Sequence, residues 1–150
     1  MKVFLDTNVI LEYFTLREEY MITQRLFERF HRVGDELFMS VGSFYTIVFL
    51  IDKVLRKETT LRGENRVNAL RDILERILRT VAVAEHDTDS LLRGVMNAQF
   101  KDVEDGCQYE LARKAGCDVL VTFNMSDYPL DVTASVRVIT PFALLDESNQ

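Results

Sequence analysis

Short apolar segments alternate with longer helix-like segments along the whole chain, and this alternation restricts the possible folds more than any other feature. Five apolar runs of strand length stand at residues 2–5, 36–40, 80–84, 117–123 and 136–140. Each is bounded by polar residues or turn signals, which is typical of a buried strand. Strands that alternate with helices predict an α/β domain with a parallel sheet and right-handed crossovers.

The segments between the strands carry helical periodicity. Leu26, Phe27, Phe30 and Val33 recur at spacings of three and four residues, and Gly34 follows as a helix stop. Helices are predicted at 9–14, 18–33, 44–57, around the apolar stripe of 67–78, at 87–98 and at 101–116. We therefore predict a three-layer sandwich, in which helices flank a central parallel sheet of five strands.

Length and composition favour a single domain spanning residues 1–150. The chain is 47% apolar and 28% charged, which is ordinary for a globular protein that buries a core. No run of eighteen apolar residues exists to cross a membrane. The apolar start ends at Asp6, too early for a signal peptide. We expect a cytoplasmic protein with no membrane association, and a loose tail at 147–150.

The two cysteines, Cys107 and Cys117, have three possible states: a disulfide, a metal-binding pair or free thiols. Free thiols are favoured because neither cysteine belongs to a C-x-x-C pair and both lie on apolar stretches. Free thiols also agree with a reducing cytoplasm. His31 and His86 stand far apart in the sequence, which gives little support to a histidine metal cage or a His-based triad.

The charge is unevenly distributed over a chain whose net charge is −6. Residues 53–79 hold eight Lys or Arg and four Asp or Glu, a balance of +4, so the remainder carries −10. Such asymmetry can steer a nucleic acid to one side of an acidic molecule. A solvated outer face of two helices explains the same basic stretch equally well.

Acidic residues from three separate stretches are expected at one edge of the sheet. Asp6 follows the first strand, while Asn124 and Asp127 follow the fourth. Asp102 and Asp105 open the helix that leads into the fourth strand, and a crossover helix places its amino end over the carboxyl ends of the strands. Ligands bind at this edge in parallel α/β sheets.

Clustered carboxylates repel one another unless a cation neutralises them. A set of oxygen ligands with no nearby His or Cys suits Mg²⁺ or Mn²⁺. Thr7 and Asn8 would then fix the turn after Asp6 or contact a phosphate. The alternative is structural, because Asp, Thr and Asn are also common helix N-caps and acidic residues favour a helix start.

Three motifs carry a family resemblance: "FLDTNVIL" at 4–11, "DVEDGCQ" at 102–108 and "DVLVTFNMSDY" at 118–128. In this order they resemble the PIN domain (PilT N-terminus) superfamily, and among its members the bacterial VapC-like ribonuclease toxins. The resemblance implies a Mg²⁺- or Mn²⁺-dependent endoribonuclease. It also implies RNA as substrate, an antitoxin protein as a possible partner, and a homodimer.

The resemblance assigns roles residue by residue. Asp6 matches the first acidic ligand, Asp105 the third, and Asn124 with Asp127 the closing pair. These four form the expected catalytic set, and the three carboxylates among them form the expected metal ligands. The expected supporting residues are Thr7, Asn8, Thr46, Asp102 and Thr122. The residues expected to guide RNA are Arg56, Lys57, Arg62 and Arg66.

One position departs from the family pattern. The second acidic residue is normally a Glu in the helix after the second strand, but the matching stretch here reads "SVGSFYTIVF". The Glu position falls on Thr46, or on Tyr45 if the register shifts by one. No carboxylate occurs between Glu36 and Asp52. Glu12 on the first helix or Glu104 could substitute for the missing Glu. The loss of one ligand should weaken divalent cation binding, although the Thr46 hydroxyl could still hold a water.

Three hypotheses follow. The first is a metal-dependent endoribonuclease, and the second is a degenerate PIN domain that binds RNA or a protein without cleavage. The third is an acidic α/β interaction module, motivated by the apolar segment "FYTIVFLIDKVL" at 44–55, which could pack on a second copy or an antitoxin. A fully buried helix would account for this segment equally well.

Overall fold

A computed structural model describes residues 1–129 and 135–147. Within these ranges the core is a five-stranded sheet in the order β3-β2-β1-β4-β5, and every neighbouring pair is parallel. The strands are β1 (Lys2–Leu5), β2 (Glu36–Met39), β3 (Ala82–Val83), β4 (Val119–Val121) and β5 (Arg137–Ile139). The predicted parallel sheet is confirmed, with shorter strands than the apolar runs suggested.

Helices cover both faces of the sheet and complete the predicted three layers. They are α1 (Thr7–Phe14), α2 (Tyr20–Val33), α3 (Val41–Glu58), α4 (Gly63–Thr80), α5 (Thr88–Met96), α6 (Val103–Lys114) and α7 (Pro141–Glu147). No helix in the described ranges is long and apolar enough to cross a bilayer. Cys107 and Cys117 are both free thiols, as expected.

The alternation of side chains along each strand separates two apolar cores. Val3 and Leu5 of β1 belong to the core that contains residues of α1, α2, α3, α4 and α7. Phe4, between them in the sequence, belongs to the second core with residues of α6 such as Tyr109. Successive residues of a strand point to opposite faces, so one four-residue strand contributes to both layers.

The strand order reverses between β1 and β4, and this reversal positions the residues that the sequence suggests as functional. From β1 the chain proceeds to β2 and β3 on one side, then crosses to β4 and β5 on the other. Leu5 is paired with Val121, so Asp6 and Thr122 leave the sheet side by side. Ligands bind in the crevice outside the carboxyl ends of strands at such a switch point.

Two expectations about elements need correction. Residue 80 belongs to α4 rather than to the third strand, since α4 continues to Thr80 and β3 is only Ala82–Val83. The chain end is not simply loose. Glu147 ends α7, a helix absent from the sequence prediction, and its carboxylate bonds Arg137 at 2.7 and 2.9 Å. Residues 148–150 of the expected tail lie outside the described residues.

The helix α3 is amphipathic rather than fully buried. Ile47, Ile51 and Leu55 are buried against the sheet, whereas Tyr45 and Phe49 are 68% and 65% exposed. The apolar segment 44–55 therefore has more apolar surface than its core-facing side uses. The fully buried alternative for this helix is wrong.

Candidate acidic active site

Asp6 is the best-anchored carboxylate at the carboxyl edge of the sheet. It is 6% exposed and is the N-cap residue of α1. Its Oδ1 accepts a hydrogen bond from the Thr7 backbone N–H at 2.7 Å, and its Oδ2 accepts one from the Thr122 hydroxyl at 2.8 Å. The capping role that the sequence offered for Asp6 is thus confirmed, and the same side chain lies at the edge of the sheet where a ligand is expected.

A buried chain of hydroxyls connects the first turn of α1 to the start of α3. The Thr7 hydroxyl donates to Ser43 Oγ at 2.8 Å, and Ser40 Oγ lies 3.0 Å from Ser43 Oγ. Ser40 also caps α3 by accepting from the Ser43 backbone N–H at 2.9 Å. Thr7 therefore holds α1 and α3 together rather than only fixing its own turn.

The start of α6 brings a second group of carboxylates to the same edge. Asp102 is the N-cap, and its Oδ1 accepts from the Glu104 backbone N–H at 2.8 Å. Asp105 lies one residue further along the first turn and is half-buried. Asp102 thus has a capping role, while Asp105 is close enough to Asp6 and Asp127 for their charges to raise its pKa.

The segment after β4 completes the arrangement. Thr122 accepts a hydrogen bond from the Asn124 backbone N–H at 3.0 Å, which fixes the exit of the chain from the sheet. A single 3₁₀ turn, Met125–Asp127, follows and presents Asp127 to solvent. Thr122, expected as a supporting residue, therefore orders both Asp6 and the Asn124 segment.

These stretches border one open cleft of about 240 Å³. The residues that line it are Asp6, Thr7, Asn8, Thr46, Leu50, Asp102, Glu104, Asp105, Gln108, Asn124 and Asp127. All four residues of the expected catalytic set are among them. Thr46 lines the cleft whereas Tyr45 does not, so Thr46 occupies the position where the family pattern has a Glu.

The electrostatics of the cleft are those of crowded, partly desolvated carboxylates. Burial raises the pKa of Asp6, while hydrogen bonds from Thr122, Thr7 and Gln108 oppose the rise. Burial, followed by repulsion from Asp6, Asp102, Asp127 and Glu104, raises the pKa of Asp105 from 3.8 to about 7. Excess negative charge at this density is the condition that a bound cation relieves.

The donor atoms fit a hard divalent cation, but they do not form a closed carboxylate cage. Among the described residues, no three His, Cys, Asp or Glu side chains are arranged so that they could hold a metal ion. Mg²⁺ is usually bound through one or two carboxylates and keeps several waters, and the cleft is open enough for waters. A further oxygen, Gln108 Oε1, is buried in the cleft wall without a hydrogen-bond partner. The residues therefore fit a partly hydrated Mg²⁺ or Mn²⁺.

Sequence reasoning did not place two residues at this site, Ser43 and Gln108. Glu104, considered from the sequence as a substitute for the missing Glu, does line the cleft. Gln108 lies three residues after Asp105, which places both on one face of α6. That spacing was a usable signal, because the remaining inward positions of this helix are mostly apolar. Ser43 had no comparable signal, since its partner Thr7 is 36 positions away in the sequence.

The residues expected to guide RNA lie away from the cleft. Arg56 and Arg66 both pair with Asp52, at 2.8 and 3.3 Å. Arg62 donates to the carbonyl oxygens of Thr59 and Leu61. None of the four lines the cleft. Only Lys57 has no ion pair or side-chain hydrogen bond within the described residues.

A comparison with known protein families shows which family this chain belongs to. A profile described as "PIN domain" matches residues 2–126. The chain belongs to the PIN domain family. The match includes Asp6, Asp105 and Asn124 and ends one residue before Asp127.

Two relatives place this PIN domain more closely. It is 30% identical over 135 residues to "Ribonuclease VapC1" of Aquifex aeolicus (strain VF5), with 87% of each chain covered. It also resembles a chain in the solved structure of VapBC-1 from nontypeable Haemophilus influenzae. That match has a TM-score of 0.66 and 18% identity and covers 95% of this chain and 99% of the other. The second likeness shows the shared fold, and the first supports the VapC-like group within the family.

Proposed function

We propose that this PIN domain is a VapC-like endoribonuclease that hydrolyses RNA phosphodiesters with the help of Mg²⁺ or Mn²⁺. The observation that carries the proposal is the convergence of Asp6, Asp105 and Asp127 on one cleft at the switch point of the sheet. The ribonuclease named among the relatives supports the reaction class. The raised pKa values of Asp6 and Asp105 support a cation as the missing counter-charge.

Each residue has a specific task in this proposal. One or two of Asp6, Asp105 and Asp127 would bind the cation directly through carboxylate oxygens, and the remainder would bind its waters. Asp6 is fixed in orientation by Thr122. When bound, a divalent cation supplies neutralising charge for the phosphate and makes a coordinated water more acidic. Asn124, exposed at the cleft, would orient the phosphate or a water through its amide.

The path of the RNA backbone is proposed to run along α1 and α3. Leu50 lines both the acidic cleft and a neighbouring groove that contains Arg17, Lys53 and Lys57. These three cations have no ion pairs within the described residues, so they are available for phosphates. Phosphate contacts of this kind position RNA and carry no sequence information. Lys57 is the one residue of the four expected guides that this path retains.

A cleavage assay tests the proposal. Purified protein is incubated with a structured RNA and Mn²⁺, and wild type is compared with Asp6→Asn. Asp72→Asn, an exposed substitution on α4, serves as the control with the same chemical change. We expect Asp6→Asn to lose at least 100-fold in rate, as for removal of a transition-state electrostatic group, with Asp72→Asn unaffected. Equal cleavage by Asp6→Asn would refute the proposal.

A second candidate function, RNA or protein binding without cleavage, is favoured by Thr46 at the position of the family's second acidic residue. Thr46→Glu separates the two functions. An active enzyme would gain Mn²⁺ affinity from an added ligand and keep its cleavage, whereas a degenerate domain would cleave only after the substitution. RNA binding that EDTA leaves unchanged, without cleavage by wild type, would favour the second function.

The partners we propose are an antitoxin and a second copy of this chain. Two exposed apolar surfaces support protein partners: Tyr45 and Phe49 on α3, and Leu92, Val95 and Met96 on α5. Sedimentation velocity of wild type, Phe49→Glu and Met96→Glu tests self-association. A wild-type monomer at all concentrations would exclude the homodimer. The proposal places the protein in the cytoplasm, where free thiols such as those of Cys107 and Cys117 persist.

A further inference from the structure

Gln108 is a buried amide on α6 at the wall of the acidic cleft. Its side chain is on the inward face of α6, it is only 3% exposed, and it lines the acidic cleft. It lies one helical turn after Asp105, so the two side chains share the face of α6 that looks into the cleft. An apolar residue of similar size would pack there without leaving any polar atom to satisfy.

The neighbouring Asp6 carboxylate favours one orientation of the amide. Gln108 acts on the Asp6 carboxylate as a hydrogen-bond donor, a role that only its Nε2 group can fill. The other end of the amide, Oε1, is buried and accepts no hydrogen bond from the described residues. Reversing the amide would place Oε1 against a carboxylate, so the reversal offers no alternative. A buried carbonyl oxygen without a donor is costly, and each such atom in a folded protein calls for an explanation.

We propose that Gln108 supplies a neutral oxygen ligand, Oε1, to the divalent cation in the acidic cleft and so replaces the carboxylate that position 46 lacks. This inference rests on the proposed function, because it concerns the cation that the function requires. It explains the amide and the Thr46 departure together. It also agrees with the failure of the carboxylates alone to form a metal-binding group among the described residues.

The charge balance favours an amide in this position. Asp102 and Glu104 stand beside Asp6, Asp105 and Asp127 at the cleft, and their mutual repulsion is already large. A further carboxylate would add to this repulsion when no cation is bound. Amide and backbone carbonyl oxygens bind hard cations without adding charge. An amide at position 108 in place of a carboxylate at position 46 therefore keeps the number of ligands and avoids further repulsion.

A second unpartnered buried atom, the Tyr128 hydroxyl, does not compete for this role. Tyr128 is 5% exposed and does not line the cleft. The Asp105 carboxylate, one of the charges that raise the pKa of Tyr128, can only accept a hydrogen bond, so this hydroxyl is suited to donate rather than to bind a cation. Gln108 is thus the buried, unpartnered acceptor that borders the cleft within the described residues.

The test measures cation binding rather than cleavage. Mn²⁺ is titrated calorimetrically into wild type and Gln108→Leu, and the water-proton relaxivity of the bound Mn²⁺ is recorded for each. Leu fills a similar volume and leaves the net charge unchanged, so only the ligand atom and the donor to Asp6 are lost. We expect the dissociation constant for Mn²⁺ to be roughly tenfold higher or more in Gln108→Leu than in wild type. We also expect a higher relaxivity, because water takes the position that Oε1 leaves.

Two further variants keep the test decisive. Gln108→Glu retains an oxygen at the same place and adds charge, so it should bind Mn²⁺ more tightly than wild type with the wild-type relaxivity. Glu104→Gln, exposed at the rim of the cleft, removes a charge without removing the proposed ligand and should leave the relaxivity unchanged. If Gln108→Leu does not fold, the Mn²⁺ affinity and relaxivity of Gln108→Glu test the role of Gln108.

The failures of this inference and of the proposed function are distinguishable. Wild-type affinity and relaxivity in Gln108→Leu, or unchanged Mn²⁺ affinity in Gln108→Glu, would overturn the role of Gln108 while the cation site stands. A wild-type protein that binds no Mn²⁺ would overturn both the cation of the proposed function and the role of Gln108.

Discussion

Asp6 illustrates how one residue serves both the fold and the site. It caps α1, and its two carboxylate oxygens accept from Thr7 N–H and the Thr122 hydroxyl. The register of β1 with β4 makes the second bond possible, because it brings residues 116 positions apart to 2.8 Å. Thr122 is fully buried, and its hydroxyl also accepts from Asn124 N–H. The position of Asp6 therefore depends on a hydroxyl whose residue does not line the cleft.

Replacing Thr122 with Val should lower stability. Val has nearly the same shape but cannot donate to Asp6 Oδ2 or accept from Asn124 N–H. These two groups would then lack their hydrogen-bond partner or would have to reorient. We expect the free energy of unfolding to fall by about 1–3 kcal/mol in urea denaturation.

Thr80→Val is the matched control for this substitution. Its hydroxyl bonds the Arg76 carbonyl at 2.8 Å on an exposed helix end, so we expect a change within about 0.5 kcal/mol. Equal urea midpoints for Thr122→Val and wild type would show that the Asp6–Thr122 bond does not stabilise the fold.

The sequence predicted the cleft residues next to strand ends and helix starts better than those inside helices. Asp6, Asp105 and Asn124 were accessible because each lies next to an element whose direction in the sheet was predictable. Gln108 and Ser43 were not identified, since a polar residue inside a helix usually points to solvent. The spacing of Gln108 after Asp105 was a signal for the first, whereas only the three-dimensional arrangement shows that Ser43 points inward.

At the scale of elements, the close crossing of α5 and α6 determines where Asp105 stands. Gly94 of α5 faces Gly106 and Cys107 of α6, and a Cβ at Gly94 would lie 2.5 Å from the Cys107 Cα. Backbone atoms cannot move aside as a flexible side chain would. The first turn of α6, with Asp102 and Asp105, is therefore held in place by the absence of a side chain on α5.

Gly94→Ala should separate the two helices. We expect a loss of about 1–3 kcal/mol or more in the free energy of unfolding, because a methyl group is forced into a packed contact. Weaker Mn²⁺ binding should accompany it, since α6 carries Asp105.

Gly42→Ala on α3 is the control, because its added Cβ would find only Ser40 Oγ at 3.7 Å. Ala favours a helix over Gly, so this variant should be at least as stable as wild type. A Gly94→Ala protein as stable as Gly42→Ala would contradict the close crossing.

Most strands and helices were predictable from the sequence, but the last helix was not, nor was the exposed face of α3. Five apolar runs located five strands, and the signal is best explained for the central strands β1 and β4, which are buried on both faces and therefore continuously apolar. The helix α7 was not predicted, because it has only seven residues and begins with Pro141. Proline at the first helical position was the available signal. The exposure of Tyr45 and Phe49 on α3 could not be predicted, because a nearly continuous apolar helix does not indicate which face packs inward.

At the scale of the whole molecule, the acidic cleft makes stability dependent on pH and on cations. The pKa of Asp105 rises from 3.8 to about 7 on folding, through burial and neighbouring carboxylates. Between these values the folded protein holds a proton that the unfolded chain releases. Stability therefore falls as pH rises from about 4 to about 7, in the absence of divalent cations.

Urea denaturation at pH 5.5 and pH 8 in EDTA, with wild type beside Asp105→Asn, measures this contribution. Asn cannot titrate, so the variant should lose less stability than wild type between the two pH values. Because Asp105 is half-exposed, water screens its interactions and the difference should be modest. If the free energy of unfolding changes with pH in the same way for both proteins, Asp105 is not the source of the pH dependence.

The central claim is that carboxylates from distant parts of the chain share one divalent cation at the switch point of the sheet. Calorimetric titration of Mn²⁺ into wild type and Asp105→Asn, with Asp72→Asn as control, tests it most directly. We predict one binding event in wild type and in Asp72→Asn, weakened at least tenfold in Asp105→Asn. No binding by wild type, or equal affinity in Asp105→Asn, would contradict the claim.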